Sequence, residues 1–222
     1  MIDLKSQTTR NIDQYRAVHR FDAKYGRSSE RFLGLLLKCV ESGRRIDRQW
    51  KVEEVLDFGC GKSNLVVNFA SEIGARSYKY DPAIPEYSSL QTNRADLVIN
   101  TDVLEHLDDH EADLLLSDIS NISRKVFFNI ATKPAGKQLP NGENAHATVR
   151  SSEWWHKKLS TYFENVVLLP SDPGKATFIT WRIDPATRGK LKLQWLIKNN
   201  AIRKGLSSVR SAWRQYTSAK RN

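Results

Sequence analysis

The chain has 222 residues, 40% of them hydrophobic and 27% charged, enough to bury one core and too apolar for a disordered segment. Two cysteines, Cys39 and Cys60, exclude a disulfide scaffold, and no apolar run approaches the roughly 20 residues that cross a bilayer. The first ten residues lack the apolar core of a secretory leader, so a cytoplasmic location is expected. The net charge of +10 is concentrated after Asp184, where ten basic residues follow with no acidic one; the preceding residues hold 25 basic and 25 acidic side chains.

In chain order, residues 11–27 are polar and predict a helix ending near Gly26. Ser28 or Ser29 can cap a second helix carrying Phe32, Leu35, Leu36 and Val40, with Gly43 as its stop. Short apolar runs then predict buried strands at Glu54–Phe58, Ser77–Tyr80, Ala95–Asn100 and Val126–Ile130. Helices are predicted between them at Asn64–Ile73 and Asp108–Ile119. This alternation implies a parallel sheet covered on both faces. A further helix over 152–163, capped by Ser151 or Ser152, precedes runs at Val166–Leu169 and Ala176–Ile183, close enough to pair antiparallel. The interval Asp81–Ala95 is too short for a full helix and strand, so one βα unit is expected to be abbreviated.

The segment Val55-Leu56-Asp57-Phe58-Gly59-Cys60-Gly61-Lys62-Ser63-Asn64 is a strand running into a two-glycine turn and a helix start. Glycines there permit close backbone approach to a ligand. A Walker A loop would require glycine where Leu56 stands. Asp81, 24 residues after Asp57, ends the next strand, where a carboxylate can accept hydrogen bonds from ribose hydroxyls. A nicotinamide dinucleotide fingerprint would place a third glycine at Asn64, which disfavours that cofactor. Cys60 is read as a packing residue.

These residues resemble the motifs of class I S-adenosylmethionine-dependent methyltransferases: LDFGCGKSN the first, YKYDP the second and ADLVINTDVLEHL the fourth, with VFFNIATK as the next strand. The likeness spans about residues 50–130. It implies an α/β, Rossmann-like fold with a mostly parallel seven-stranded sheet and an antiparallel last strand, flanked by N-terminal helices and a basic C-terminal helix. It also implies S-adenosyl-L-methionine as cofactor. Asp57, Gly59 and Gly61 would line its methionine part, Asp81 would hold the ribose, and Thr101 and Asp102 would complete the cofactor site. The adenine contact falls in the abbreviated region and has no assigned residue.

Methyl transfer to a hydroxyl needs alignment, exclusion of water and a proton acceptor. Candidates at the strand ends are Asn100, Thr101, Asp102, Glu105 and His106. The loop 133–150, too long for a simple connection, offers Asn144 and His146. His146 is the preferred base, with His106 the alternative and Asp102 facing the cofactor. NAHATVRSSEWW resembles a segment of bacterial methyltransferases that modify glycans or other small molecules. Trp154 and Trp155 are read as helix packing. Asp102, Glu105, His106, Asp109 and His110 match no compact metal-ligand spacing, so no metal is expected. Tyr15–Arg31, with His19, Lys24, Tyr25, Arg27 and Arg31, is expected to cover the acceptor, and its cations suit an anionic one such as a sugar acid.

Leu191, Trp195, Ile202, Leu206, Val209, Trp213 and Tyr216 fall on one helical stripe within the acid-free tail. A basic amphipathic helix over 188–216 suits an anionic membrane surface, here the inner face of the cell membrane. The expected organisation is a helical cap at 1–48, a methyltransferase domain at 49–184 and a tail at 185–222. The leading reading is O-methylation of a glycan sugar or related small molecule, free or lipid-linked. Alternatives are an RNA methyltransferase using the tail for phosphates, and a non-catalytic scaffold. No RNA-binding module or Asn-Pro-Pro-Tyr-type motif is present, so nucleic acid is the less favoured partner.

Overall fold

The apolar run ending beside Asp57 forms β1 (Glu54–Phe58), and the later runs form β2 (Arg76–Tyr80), β3 (Leu97–Thr101), β4 (Val126–Ala131), β5 (Val167–Leu169) and β6 (Lys175–Ile179). The computed structural model describes residues 12–22 and 26–200. The strands make one sheet in the order β2-β1-β3-β4-β6-β5. The first four are parallel, and β6 runs antiparallel between β4 and β5. β3 and β4 are buried at every residue, as central strands covered on both faces must be.

Among the described residues the sheet has six strands, not the expected seven. Between Asp81 and Ala95 the chain forms only a single 3₁₀ turn, Pro85–Tyr87, so β2 is left at the edge. The strand order reverses between β1 and its two neighbours, which opens a crevice at the carboxyl ends of β1 and β3.

The helices are α1 (Ile12–Phe21), α2 (Leu33–Ile46), α3 (Leu65–Ile73), α4 (Asp109–Ile122) and α5 (Ser152–Leu159). α4 starts with a reciprocal capping box, Asp108 accepting from the Glu111 amide and Glu111 from the Asp108 amide. α5 is capped by Ser151, whose hydroxyl accepts from the Trp154 amide. The expected stop at Gly43 is corrected: α2 continues to Ile46. Gly43 is there for space, since an added Cβ would lie 2.6 Å from the rings of both Trp50 and Trp181. Trp181 also donates to the Cys39 carbonyl at 3.0 Å, and Ser42 donates to Asp184 at 2.6 Å, locking α2 to the chain after β6. That segment leaves the sheet at Ile179, earlier than the expected Ile183.

The chain divides after Asp184 into two compact units. In the second, residues 185–200 are helical. Leu191 is buried and Trp195 half-buried, whereas Leu193, Leu196 and Ile197 are exposed. The rest of the expected stripe, Ile202 to Tyr216, lies outside the described residues. Among the described residues no helix is long and apolar enough to cross a membrane.

Candidate active site

The turn after β1 has the geometry its glycines permit. Gly59 sits at φ +84° and Gly61 at φ +52°, both left-handed. An added Cβ would lie 2.4 Å from the Val103 side chain at Gly59 and 3.0 Å from the Gly26 backbone at Gly61, so neither position has room for a side chain. The amides of Gly59 and Cys60 donate to the Tyr80 carbonyl at 2.7 and 3.0 Å, tying the turn to the end of β2.

Asp81 follows β2 and faces the same crevice. One carboxylate oxygen accepts from the Gly61 amide at 2.8 Å, the other from the Ala83 amide at 2.9 Å. Each oxygen keeps a lone pair for a further donor. Lys62 is not a phosphate ligand. Its ammonium donates to the carbonyls of His19 and Asp22, satisfying the C-terminal end of α1.

Asp57 is placed differently from the expectation. It is fully buried beneath the turn and is absent from the cavity wall; neither carboxylate oxygen has a hydrogen-bond partner. Burial pushes its pKa up to about 7, with Asp81 adding to the rise and Lys79 opposing it. Cys60 is buried, and burial holds its thiol protonated, which suits packing and not nucleophilic chemistry.

At its carboxyl end β3 finishes at Thr101, and Asp102 takes φ +56°, unusual for a residue with a Cβ. Its amide donates to the Asn129 carbonyl at 2.8 Å, and its carboxylate accepts from Lys175 at 2.6 Å and Ser28 at 2.8 Å. Burial works to raise the Asp102 pKa, but Lys175 and Ser28 outweigh it and hold the carboxyl below its usual range. Lys175 reaches this point because β6 runs antiparallel, placing its first residue beside Ala131 at the end of β4.

Loop 133–150 brings His146 to His106. Asn144 pins it by accepting from the Ala135 and His146 amides and donating to the Ala135 carbonyl. Thr148 anchors its far end through Leu107 and Glu105. The two imidazoles meet edge to face with centroids 5.1 Å apart. Each engages a backbone carbonyl through Nδ1: Ala145 at 2.7 Å for His106 and Lys133 at 2.6 Å for His146. A carbonyl only accepts, so Nδ1 carries the proton on both rings and Nε2 holds the lone pair. Burial lowers the His146 pKa, with the Lys133 carbonyl and Glu105 acting in the opposite sense. Glu105 is fully buried; one oxygen accepts from the Ala131 amide at 2.8 Å and the other has no partner.

These groups share one cavity of about 540 Å³, walled by Gly59, Gly61, Asp81, Thr101, Asp102, Glu105, His106, His146 and Lys175. α1 contributes Tyr15 and His19. Tyr15 donates to the Ala145 carbonyl at 2.9 Å and packs edge to face on His106. Gln14 accepts from the Asn141 amide, and Asp22 pairs with Lys137, so α1 and the loop are joined over the cavity. Trp155 lies in the core and Trp154 packs against it; neither lines the cavity. Asp109 and His110 are exposed and are also absent from the cavity wall. Lys175 escaped the sequence reading. A lone lysine before an apolar run reads as a solvated strand end, and only the antiparallel pairing reveals its position.

No family model matches the sequence, and no curated protein matches it. Among solved structures, the chain is similar to DhpI in complex with SAH at 15% identity and a TM-score of 0.44, over 82% of this chain and 97% of that one. It is similar to 1,6-didemethyltoxoflavin-N1-methyltransferase of Burkholderia thailandensis at 14% identity and a TM-score of 0.49, over 78% and 88% of the two chains. An O-methyltransferase family protein from Burkholderia thailandensis has 11% identity and a TM-score of 0.48, over 82% and 66%. The sheet order, with its one antiparallel strand between β4 and β5, is carried by the chain's own backbone: this protein has the Rossmann-like fold of class I S-adenosylmethionine-dependent methyltransferases.

Proposed function

We propose that the protein transfers a methyl group from S-adenosyl-L-methionine to a hydroxyl of a small acceptor, of which a glycan sugar or sugar acid is the favoured class. The observation that carries this reading is the sharing of one cavity by two unlike ends. One end is a glycine turn with an aspartate on the adjacent strand; the other holds two imidazoles with Nε2 free to accept.

The cofactor end fits the group chemically. Gly59 and Gly61 let the turn take left-handed backbone against Val103 and Gly26, which keeps its main chain on the cavity wall, and Asp81 offers charged acceptors suited to ribose hydroxyls. Thr101 and Asp102 line the same cavity. When bound, S-adenosyl-L-methionine supplies an electrophilic methyl: the acceptor oxygen bonds to its carbon, the carbon–sulfur bond breaks, and the electron pair stays on sulfur.

The protein's part is placement and proton removal. Nε2 of His146 takes the hydroxyl proton, while the Lys133 carbonyl fixes its tautomer and the Asn144 anchor fixes its position. His106 is held beside it by the Ala145 carbonyl, which Tyr15 shares. Lys133 on the wall favours an acceptor bearing a carboxylate or phosphate; Lys175 is paired with Asp102. The α1-to-loop roof suits a small acceptor over an RNA strand, and the glycine turn with Asp81 argues against a scaffold that has lost its ligand. The exposed Leu193, Leu196 and Ile197 beside Lys190, Lys192 and Lys198 support attachment to an anionic membrane, where a lipid-linked acceptor would be met.

The test is transfer of label from S-[methyl-³H]adenosylmethionine into three pools: soluble small molecules, lipid-linked glycans and total RNA. Label in either of the first two is expected. Label confined to RNA would overturn the acceptor assignment, and no transfer to any pool would count against the reaction.

A further inference from the structure

We propose that Glu105, His106 and His146 form a binding site for a divalent first-row transition-metal cation at the acceptor end of the cavity. The proposal rests on the acceptor pocket as read above and assigns it a second ligand.

Three independent features converge. First, one potential ligand atom from each of these three residues lies within 4.8 Å of the other two. A first-row cation sits about 2.0–2.2 Å from each nitrogen or oxygen ligand, so ligand atoms of a tetrahedral site are about 3.4 Å apart. Closing the set therefore takes side-chain shifts of about an ångström.

Second, the buried Glu105 carboxylate is half satisfied. One oxygen accepts from the Ala131 amide, and the other is enclosed with no partner. Leaving such a group unpaired is costly. Lys175 does not remove the cost: it lies 3.7 Å from the oxygen already bonded to Ala131 and is committed to Asp102 at 2.6 Å. A cation would meet the unpaired oxygen. The Lys175–Asp102 pairing offsets the lysine charge that would otherwise repel it.

Third, both imidazoles are prepared as ligands. Metal-bound histidines commonly donate their other nitrogen to a carbonyl or carboxylate, which fixes the ring and its tautomer. His106 and His146 do this with Ala145 and Lys133. Sequence spacing could not show the site, because His146 is 40 residues from His106 and only the folded loop brings them together.

Two imidazoles and one carboxylate favour zinc, manganese, iron, cobalt or nickel over magnesium and calcium, which prefer oxygen ligands. Three protein ligands leave positions open for an acceptor oxygen. Such a cation would lower the pKa of a bound hydroxyl and orient it. In the metal-loaded protein Nε2 of His146 would serve as ligand and not as base.

The experiment titrates the full chain, treated with chelator and dialysed, with Co²⁺, following visible d–d absorption. Zn²⁺ competition is measured alongside. One saturable equivalent displaced by Zn²⁺ is expected, with affinity at least tenfold weaker in both His146→Ala and Glu105→Gln. Absence of saturable binding by the wild-type chain, or wild-type affinity in both variants, would overturn the site. Far-ultraviolet circular dichroism of the same samples establishes that each is folded, and calorimetric binding of S-adenosyl-L-methionine to them is measured separately. If Glu105→Gln fails to fold, His146→Ala decides alone, since its loop is at the surface. No Co²⁺ binding with intact cofactor binding refutes the cation site only. Co²⁺ binding without cofactor binding refutes the methyltransferase reading only.

Discussion

His146→Ala is expected to lower methyl-transfer turnover by about a hundredfold or more, the usual scale for removing a positioned proton acceptor, while cofactor affinity changes by less than about twofold. The separation follows from position. His146 lies at the end of the cavity formed by loop 133–150, whereas the proposed cofactor groups are the Gly59–Gly61 turn and Asp81. Its backbone is held by Asn144, which the substitution leaves in place. His106→Ala serves as the comparison: its imidazole packs edge to face on Tyr15, so its loss also removes a contact with α1. Steady-state kinetics with calorimetry check the result. Unchanged turnover in His146→Ala would remove the residue from the chemistry; a parallel loss of cofactor affinity would place it at the other end of the site.

Asp57→Asn is expected to flatten the pH dependence of stability. The folded protein holds the Asp57 carboxyl with a pKa of about 7, against about 3.9 for an unfolded aspartate. The folded state thus binds the proton more tightly. That stability is fully present below about pH 4 and is lost as pH rises towards 7, after which the loss levels off. Three pKa units correspond to about 4 kcal/mol, an upper limit for a fully buried group. His19 and His146, whose pKa values burial lowers, contribute with the opposite sign in part of this range. The comparison is therefore with the variant, in which those contributions are shared. Thermal melts from pH 5 to 8 should show wild type losing stability relative to Asp57→Asn as pH rises. A constant difference across that range would contradict the assignment.

Much of this was legible in the sequence for physical reasons. β1, β3 and β4 are buried on both faces, so they read as continuous apolar runs, and Gly59 and Gly61 mark a turn that no side chain could occupy. Asp81 was locatable because the end of a neighbouring parallel strand falls in the same crevice. The strand count was overestimated because a family pattern was imposed on an interval that holds only one 3₁₀ turn. Gly43 read as a helix stop because glycine commonly ends helices; its role in admitting Trp50 and Trp181 depends on contacts with residues far along the chain. Asp57 was expected at the ligand because it sits in the motif, yet side chains alternate along a strand, and its carboxylate is buried beneath the turn. Lys175 and the meeting of His106 with His146 depend on antiparallel pairing and on a folded loop, neither of which leaves a local signal.

The central claim is that the Gly59–Gly61 turn and Asp81 form the binding site for S-adenosyl-L-methionine, and calorimetric titration of the full chain and of Asp81→Ala tests it most directly. Asp81 accepts from the Gly61 and Ala83 amides, and in the proposed site its carboxylate would also accept from the ribose. One saturable site is predicted for the wild-type chain, weakened by about 1.5–3 kcal/mol, roughly ten- to 150-fold, in Asp81→Ala. Equal affinity in a folded Asp81→Ala variant, or no binding by the wild-type chain, would contradict it.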